Sequence, residues 1–226
     1  KVQEMQTGRL FTGIFLTLTL MAAAVVPMTA VSDELTEPQQ VIQGISDELY
    51  VVLNRDRDRV MNEPGYVYHL ANDILVPRVD FSRVSSLVLG KHWRRASTEQ
   101  KENFSHQFQR LLVRTYATAF REFDDWKIEH LPLRAKEGSK SVAVRTRVHR
   151  PGADAVDVVY RMYRSDEGWK AFDVKIEGIS LVTNYRSSFA KEMRKGGMDG
   201  LIQRIGELND SRGKPKQVAL AGVAQN

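Results

Sequence analysis

Behind Pro38, the apolar residues Val41, Ile45, Leu49, Val52 and Leu53 recur at helical spacing and predict a first helix. The run Arg55-Asp56-Arg57-Asp58-Arg59 alternates in sign and reads as a solvated face. Pro64-Gly65 breaks the pattern. A second helix is predicted from Tyr66 to Val76, stopped by Pro77, and a third from Phe81 to Leu89, closed by Gly90. Ser97 and Gln100 have capping-box spacing, and Phe104, Phe108, Leu111, Leu112, Thr115 and Ala119 then share one helix face.

From Trp126 the period falls from 3.6 to two. Val142, Val144, Thr146 and Val148 alternate with Arg145, Arg147 and His149. After Pro151-Gly152, Val156, Val158, Tyr160 and Met162 alternate with Asp157 and Arg161. After Asp166-Glu167-Gly168, the positions Lys170, Phe172, Val174 and Ile176 continue the pattern. With Trp126–Leu133 this predicts a four-stranded antiparallel meander. Glu177-Gly178 reads as a turn with glycine at positive φ. Helices return over Ser180–Lys195, with Ser180 as the cap, and over Met198–Leu208. Helices, strands, then helices make an α+β domain in which helices cover one apolar face of a curved sheet.

The two ends stand apart. Leu10–Val26 carries no charge, follows Lys1 and Arg9, and leads to Pro27-Met28-Thr29-Ala30. That order predicts a secretory signal peptide over residues 1–30 with cleavage after Ala30. An uncleaved membrane anchor is the other reading, although the run is short for a bilayer span. Residues 211–226 contain Gly, Pro, Lys and Ala without an apolar period and predict a disordered basic tail. Residues 31–210 remain as one domain, long enough to bury a core without disulfides.

Composition removes several functions. With no cysteine, neither a disulfide framework nor a thiolate metal site is available. The net charge is +5, with acids and bases interspersed, and no nucleic-acid-binding motif is present, so no nucleic-acid partner is expected. His69 and Asp73 are four apart on a predicted helix, but no third ligand has a recognisable spacing, so no metal is expected. Phosphate-loop spacing is absent.

One segment goes further. Asp-Val-Lys-Ile-Glu-Gly-Ile-Ser-Leu-Val-Thr-Asn-Tyr-Arg-Ser-Ser-Phe begins at Asp173, and Gly196-Gly197-Met198-Asp199-Gly200-Leu201 follows. Upstream stand Leu89-Gly90-Lys91-His92-Trp93-Arg94, Thr98-Glu99-Gln100, Phe104, Phe108, Tyr116, and Trp169-Lys170-Ala171-Phe172. In this order and spacing they resemble the MlaC or toluene-tolerance family of periplasmic phospholipid-binding proteins. Met198 departs from the branched aliphatic more usual there, and the first helix and the tail match poorly. The resemblance implies a nuclear-transport-factor-like cone with a helical extension. It also implies a monomeric periplasmic carrier with no cofactor, whose cargo is a glycerophospholipid. Its partners would be an outer-membrane lipoprotein–porin complex and an inner-membrane lipid ABC transporter with a periplasmic ring.

A cargo of two acyl tails requires a dry hollow walled by apolar side chains. The helices offer Leu75, Phe81, Leu87 and Leu89, then Phe108, Leu112 and Tyr116. The sheet offers Val144, Val158, Tyr160, Phe172 and Val174, and the following segment Ile179 and Val182. Met162 and Met193 can adapt to different tails. Each of these residues can equally fill an ordinary core. A second function class uses the same cone as a small-molecule-binding module or an isomerase-like enzyme, with Asp173 as general base. Against that, Asp173 can simply hold backbone donors or an arginine.

Overall fold

The structure, a computed structural model, describes residues 34–210 apart from 64, 123, 124 and 137. The expected leader over 1–30 and tail over 211–226 lie outside the described residues.

Helix α1 spans Glu37–Arg55, with Thr36 and Gln39 forming a capping box and a proline in the first turn. Asp56 joins it to α2 (Arg57–Asn62). The charged run is therefore a joint rather than only a solvated face. Asp56 pairs with Arg55 and accepts from the Tyr66 hydroxyl, while Arg59 pairs with Glu63. The Arg55 and Tyr66 bonds hold the Asp56 carboxyl well below the usual carboxylate range.

Helix α3 (Tyr66–Leu70) runs through a π-type turn (Ala71–Leu75) into a 3-10 turn (Val76–Arg78) at Pro77. Asp80 caps α4 (Phe81–Leu89) by accepting from the Arg83 N–H at 2.8 Å, and Gly90 closes it. A short helix that the pattern does not reveal, α5 (Lys91–Arg95), leads to α6 (Thr98–Tyr116). The Ser97–Gln100 box forms as the spacing predicts. A 3-10 turn, Ala117–Glu122, follows α6.

The sheet is an antiparallel meander ordered β1-β2-β3-β4-β5. Its strands are Lys127–His130, Ser141–Arg150, Ala153–Ser165, Gly168–Ile176 and Ile179–Ser180. The fifth strand corrects the expected four. It exists because Glu177 and Gly178 both take positive φ, 48° and 78°, as a tight two-residue hairpin requires. Glu177 tolerates this because Asp157 holds it. Its N–H donates to the Asp157 carbonyl at 2.9 Å, and its carboxylate accepts from the Asp157 N–H.

Helix α7 runs Leu181–Asp210 where two helices are expected, but Gly197 breaks it at φ 63°, ψ −157°. That region is essentially reserved for glycine. The break resets the apolar stripe: Val182, Tyr185 and Phe189 precede it, and Met198, Leu201 and Ile205 follow it.

The buried apolar residues fall into three clusters. One joins α4, α6 and α7 around Phe104, Phe108 and Phe189. A second joins α1, α2 and α3 around Leu53, Val60 and Phe120. A third sets Ile42 of α1 on Val144, Met162 and Ala171 of the sheet. A domain of this size ordinarily has one contiguous core. Here a hollow borders all three clusters.

Candidate functional site

The hollow is a cavity of about 520 Å³. Its floor is the alternating face of the sheet, where Val156, Val158, Tyr160 and Met162 follow one another along β3. That run is six residue rises, about 20 Å. Val148 of β2 and Val174 and Ile176 of β4 widen the floor. Ile42, Ile45, Leu49 and Leu53 of α1 make the roof, on the stripe that the helical spacing predicts.

One flank is α6 and its 3-10 extension, with Phe108, Leu112, Tyr116 and Phe120. The other carries Leu75, Val79, Phe81 and Val84, and Leu181 and Val182 of α7 close that side. Many of these apolar side chains are only half-buried because they face open space rather than neighbours.

Polar stitches hold roof and floor apart. The Gln39 amide donates to the Leu131 carbonyl at 3.2 Å, and His130 Nε2 meets the Gln43 amide oxygen at 3.0 Å. Burial pushes the His130 pKa down, with the Asp47 charge opposing it. On the other side, the Asp80 N–H donates to the Ala171 carbonyl at 2.9 Å, and Tyr163 donates its hydroxyl to the Asp80 carboxylate.

Few lining side chains carry a polar group: Ser46, Arg78, Tyr116, Trp126, Arg150, Tyr160 and Asp173. Asp173 is buried and its oxygens are taken. They accept from the Ser180 hydroxyl at 2.8 Å and the Val182 N–H at 3.1 Å, with Arg161 at 3.8 Å. Ser180 in turn caps α7 by accepting from the Thr183 N–H at 3.1 Å. The carboxylate thus splices sheet to helix, and each of its oxygens is already engaged in a structural hydrogen bond, which favours a structural role over that of a general base. Among the described residues, the buried Tyr116 hydroxyl has no hydrogen-bond partner. Burial pushes its pKa up, with Tyr185 a lesser cause. Among the described residues, no group of three His, Asp or Glu side chains converges to hold a metal.

Nine of the residues the sequence singles out line this cavity: Leu75, Phe81, Phe108, Leu112, Tyr116, Val158, Tyr160, Val174 and Val182. Five do not. Leu89 packs inside the α4–α6–α7 cluster, and Leu87 lies against it with its carbonyl accepting from Arg186. Val144 sits on the correct sheet face but is fully covered in the cluster that Ile42 forms with Met162 and Ala171. Phe172 is turned away by a β-bulge: Arg161 pairs with Asp173 but Met162 with Ala171, so Phe172 has no opposite partner and joins the helical cluster. Ile179 follows the tight Glu177–Gly178 turn and is 38 % exposed.

Sequence reasoning missed the α1 roof and Trp126, Ile128, Val148 and Val156. The strand alternation carried the last two, since they share the parity of Thr146 and Val158.

A five-stranded meander whose helices stand off one face and leave an apolar hollow defines a class of ligand-holding α+β proteins. The chain belongs to the MlaC protein family, whose model matches residues 43–207. It is 29% identical over 201 residues to the toluene tolerance protein ttg2D of Pseudomonas putida, covering 88% of this chain and 92% of that one. It is 24% identical over 189 residues to the intermembrane phospholipid transport system binding protein MlaC of Haemophilus influenzae, covering 82% and 87%. Among solved structures it resembles the phospholipid-binding protein of Ralstonia solanacearum in complex with a phospholipid. There the TM-score is 0.72 at 31% identity, over 77% of this chain and 97% of the other.

Proposed function

We propose that this chain is a periplasmic phospholipid carrier that holds a glycerophospholipid by its acyl tails. One observation carries this reading: the apolar hollow that stands where a single core would otherwise be. An acyl tail spans half of a hydrocarbon layer about 30 Å thick, so about 15 Å. The floor along β3 offers about 20 Å. Each methylene withdrawn from water contributes about 0.8 kcal/mol, so even a partly filled hollow holds a tail firmly.

The family membership supports a place in lipid traffic between membranes. In this reading the carrier, a monomer exported by its leader, moves lipid between an outer-membrane lipoprotein–porin complex and an inner-membrane ABC transporter with a periplasmic ring. The direction of net transport follows from partner affinities and energy input, and the carrier contributes the shielded transit. The isomerase-like reading of the same cone is disfavoured, because both oxygens of Asp173, its general base, are engaged in structural hydrogen bonds from Ser180 and Val182.

Organic extraction of the purified chain followed by mass spectrometry tests the proposal. Co-purifying diacyl phospholipid at near one molecule per chain is the expected outcome. A lipid-free protein that fails to take phospholipid from vesicles overturns it.

A further inference from the structure

A second hollow, of about 510 Å³, adjoins the first and differs from it in kind. It lies between α1 and the β3–β4 hairpin and is walled by Glu37, Gln40, Glu48, Arg78, Arg164 and Trp169. Ile45 and Arg78 border both hollows, so the apolar cavity gives way to a polar one at Arg78.

The charges of the polar hollow divide in two. Glu37 binds the Arg164 guanidinium at 3.1 Å and accepts from the Trp169 indole N–H at 3.1 Å, so these three satisfy one another. Arg78 and Glu48 are exposed, and neither has a hydrogen bond or ion pair among the described residues. The backbone that presents Arg78 is nevertheless fixed, since Val79 bridges Ala171 and the Asp80 N–H bonds the Ala171 carbonyl. Gly44, on the α1 side, adds no side chain, and its Cα faces open space.

We infer that this polar hollow is a headgroup subsite for a zwitterionic phospholipid, with Arg78 taking the phosphate and Glu48 the ammonium group. The inference rests on the carrier reading. In a glycerophospholipid the phosphate lies at the junction of the apolar and polar halves, and Arg78 occupies the same junction in the protein. A guanidinium presents paired donors that match a phosphate, and a fixed backbone lowers the ordering cost of that contact. A phosphoethanolamine head then carries its cation one short linker beyond, into a hollow whose uncommitted charge is the Glu48 carboxylate. A glycerol head offers that carboxylate no cation. Arg150, the other cation on the apolar wall, does not border this hollow.

The test uses the lipid-stripped chain. It is mixed with vesicles of phosphatidylethanolamine and phosphatidylglycerol in equal parts, with diacylglycerol added. The retained lipids are extracted and quantified. The wild type is expected to take phosphatidylethanolamine over phosphatidylglycerol, and both over diacylglycerol. Arg78→Gln is expected to lower retained phospholipid about tenfold, the scale of one charge-assisted contact, with diacylglycerol unchanged. Glu48→Gln is expected to keep the total and lose the ethanolamine preference. Melting curves check that both variants fold, as the absence of native partners for either side chain predicts.

An Arg78→Gln variant with the wild-type headgroup pattern overturns the subsite. So does a phospholipid loss that follows Arg150→Gln instead. A wild type that takes all three lipids equally removes the subsite and leaves the carrier intact, whereas a wild type that takes none removes the carrier reading itself.

Discussion

The α6–α7 interface and the cavity are built from the same kinds of residue and come out opposite. At the interface, Phe104 and Phe108 of α6 meet Tyr185 and Phe189 of α7 at ring-centroid distances of 5.0 to 5.8 Å, several of them edge-to-face. That is the geometry aromatic quadrupoles favour, and it leaves no space. Across Phe108 the picture reverses, because the same side chain also lines the hollow. An apolar stripe therefore specifies which side of a helix avoids water, and something else specifies whether a partner closes on it. Here that is the polar stitching at the margins. Hydrogen bonds at Gln39, Gln43 and Asp80 fix α1 and the 76–80 segment at set positions over the sheet, and they cannot shorten to let the roof fall.

The contrast is broken most visibly by charge. Val158→Glu is expected to remove nearly all bound lipid while the chain still folds, because a carboxylate on the floor reaches water through the hollow. Ile179→Glu, off the wall, is expected to keep a full load. Lipid quantification beside circular dichroism reads both, and a Val158→Glu protein with normal load moves the cavity elsewhere.

Truncation comes next. Phe104→Ala is expected to cost about 3–5 kcal/mol by urea denaturation, since it opens a new void in a closed block. Leu112→Ala is expected to cost about 1 kcal/mol, as space already lies beside it. Equal costs would show that the hollow is packed as tightly as the block.

Stripping the lipid is expected to lower the melting midpoint by about 5 °C or more, since a ligand near a hundredfold its Kd adds about 2.7 kcal/mol. Diacyl phospholipid should restore this, and single-chain lysolipid should restore less. Identical midpoints would mean that side chains fill the space.

Gly197→Ala should cost about 1–3 kcal/mol, because φ 63°, ψ −157° excludes a Cβ. A neutral result would show that α7 can run through without its phase reset.

The smallest effect concerns pH. Burial lowers the His130 pKa in the fold, so the unfolded chain binds more protons as pH falls below about 6.5, and stability declines there. His130→Gln should flatten that decline. A wild-type midpoint flat across the same range would show that the ring does not help to hold α1 to β1.

Much of the fold is legible in local signals. The α4 boundaries, the Ser97–Gln100 box and the β2–β3 alternation each follow from a few residues and form as those residues dictate. The hollow is not legible in that way. Val144 and Val158 have the same pattern and lie on the same face, yet Ile42 covers one and open space meets the other. Only the docking height of α1 distinguishes them, and that is set by bonds between residues as much as 132 apart in sequence. Phe172 shows a second limit. Period two predicts its face correctly until a bulge inserts one residue, after which every position beyond it changes side.

The engagement of Asp173 in the sheet-to-helix splice has a chemical consequence. A glycerophospholipid is a diester, and a protein that shelters it out of bulk solvent also concentrates it against whatever groups line the shelter. In this wall each carboxylate oxygen of Asp173 already accepts a structural hydrogen bond, from Ser180 or from Val182, and the Tyr116 phenol stays protonated because burial disfavours its anion. Both engagements work against the generation of a nucleophile at the wall. Both features favour a shelter from which a lipid leaves with the same covalent structure with which it entered.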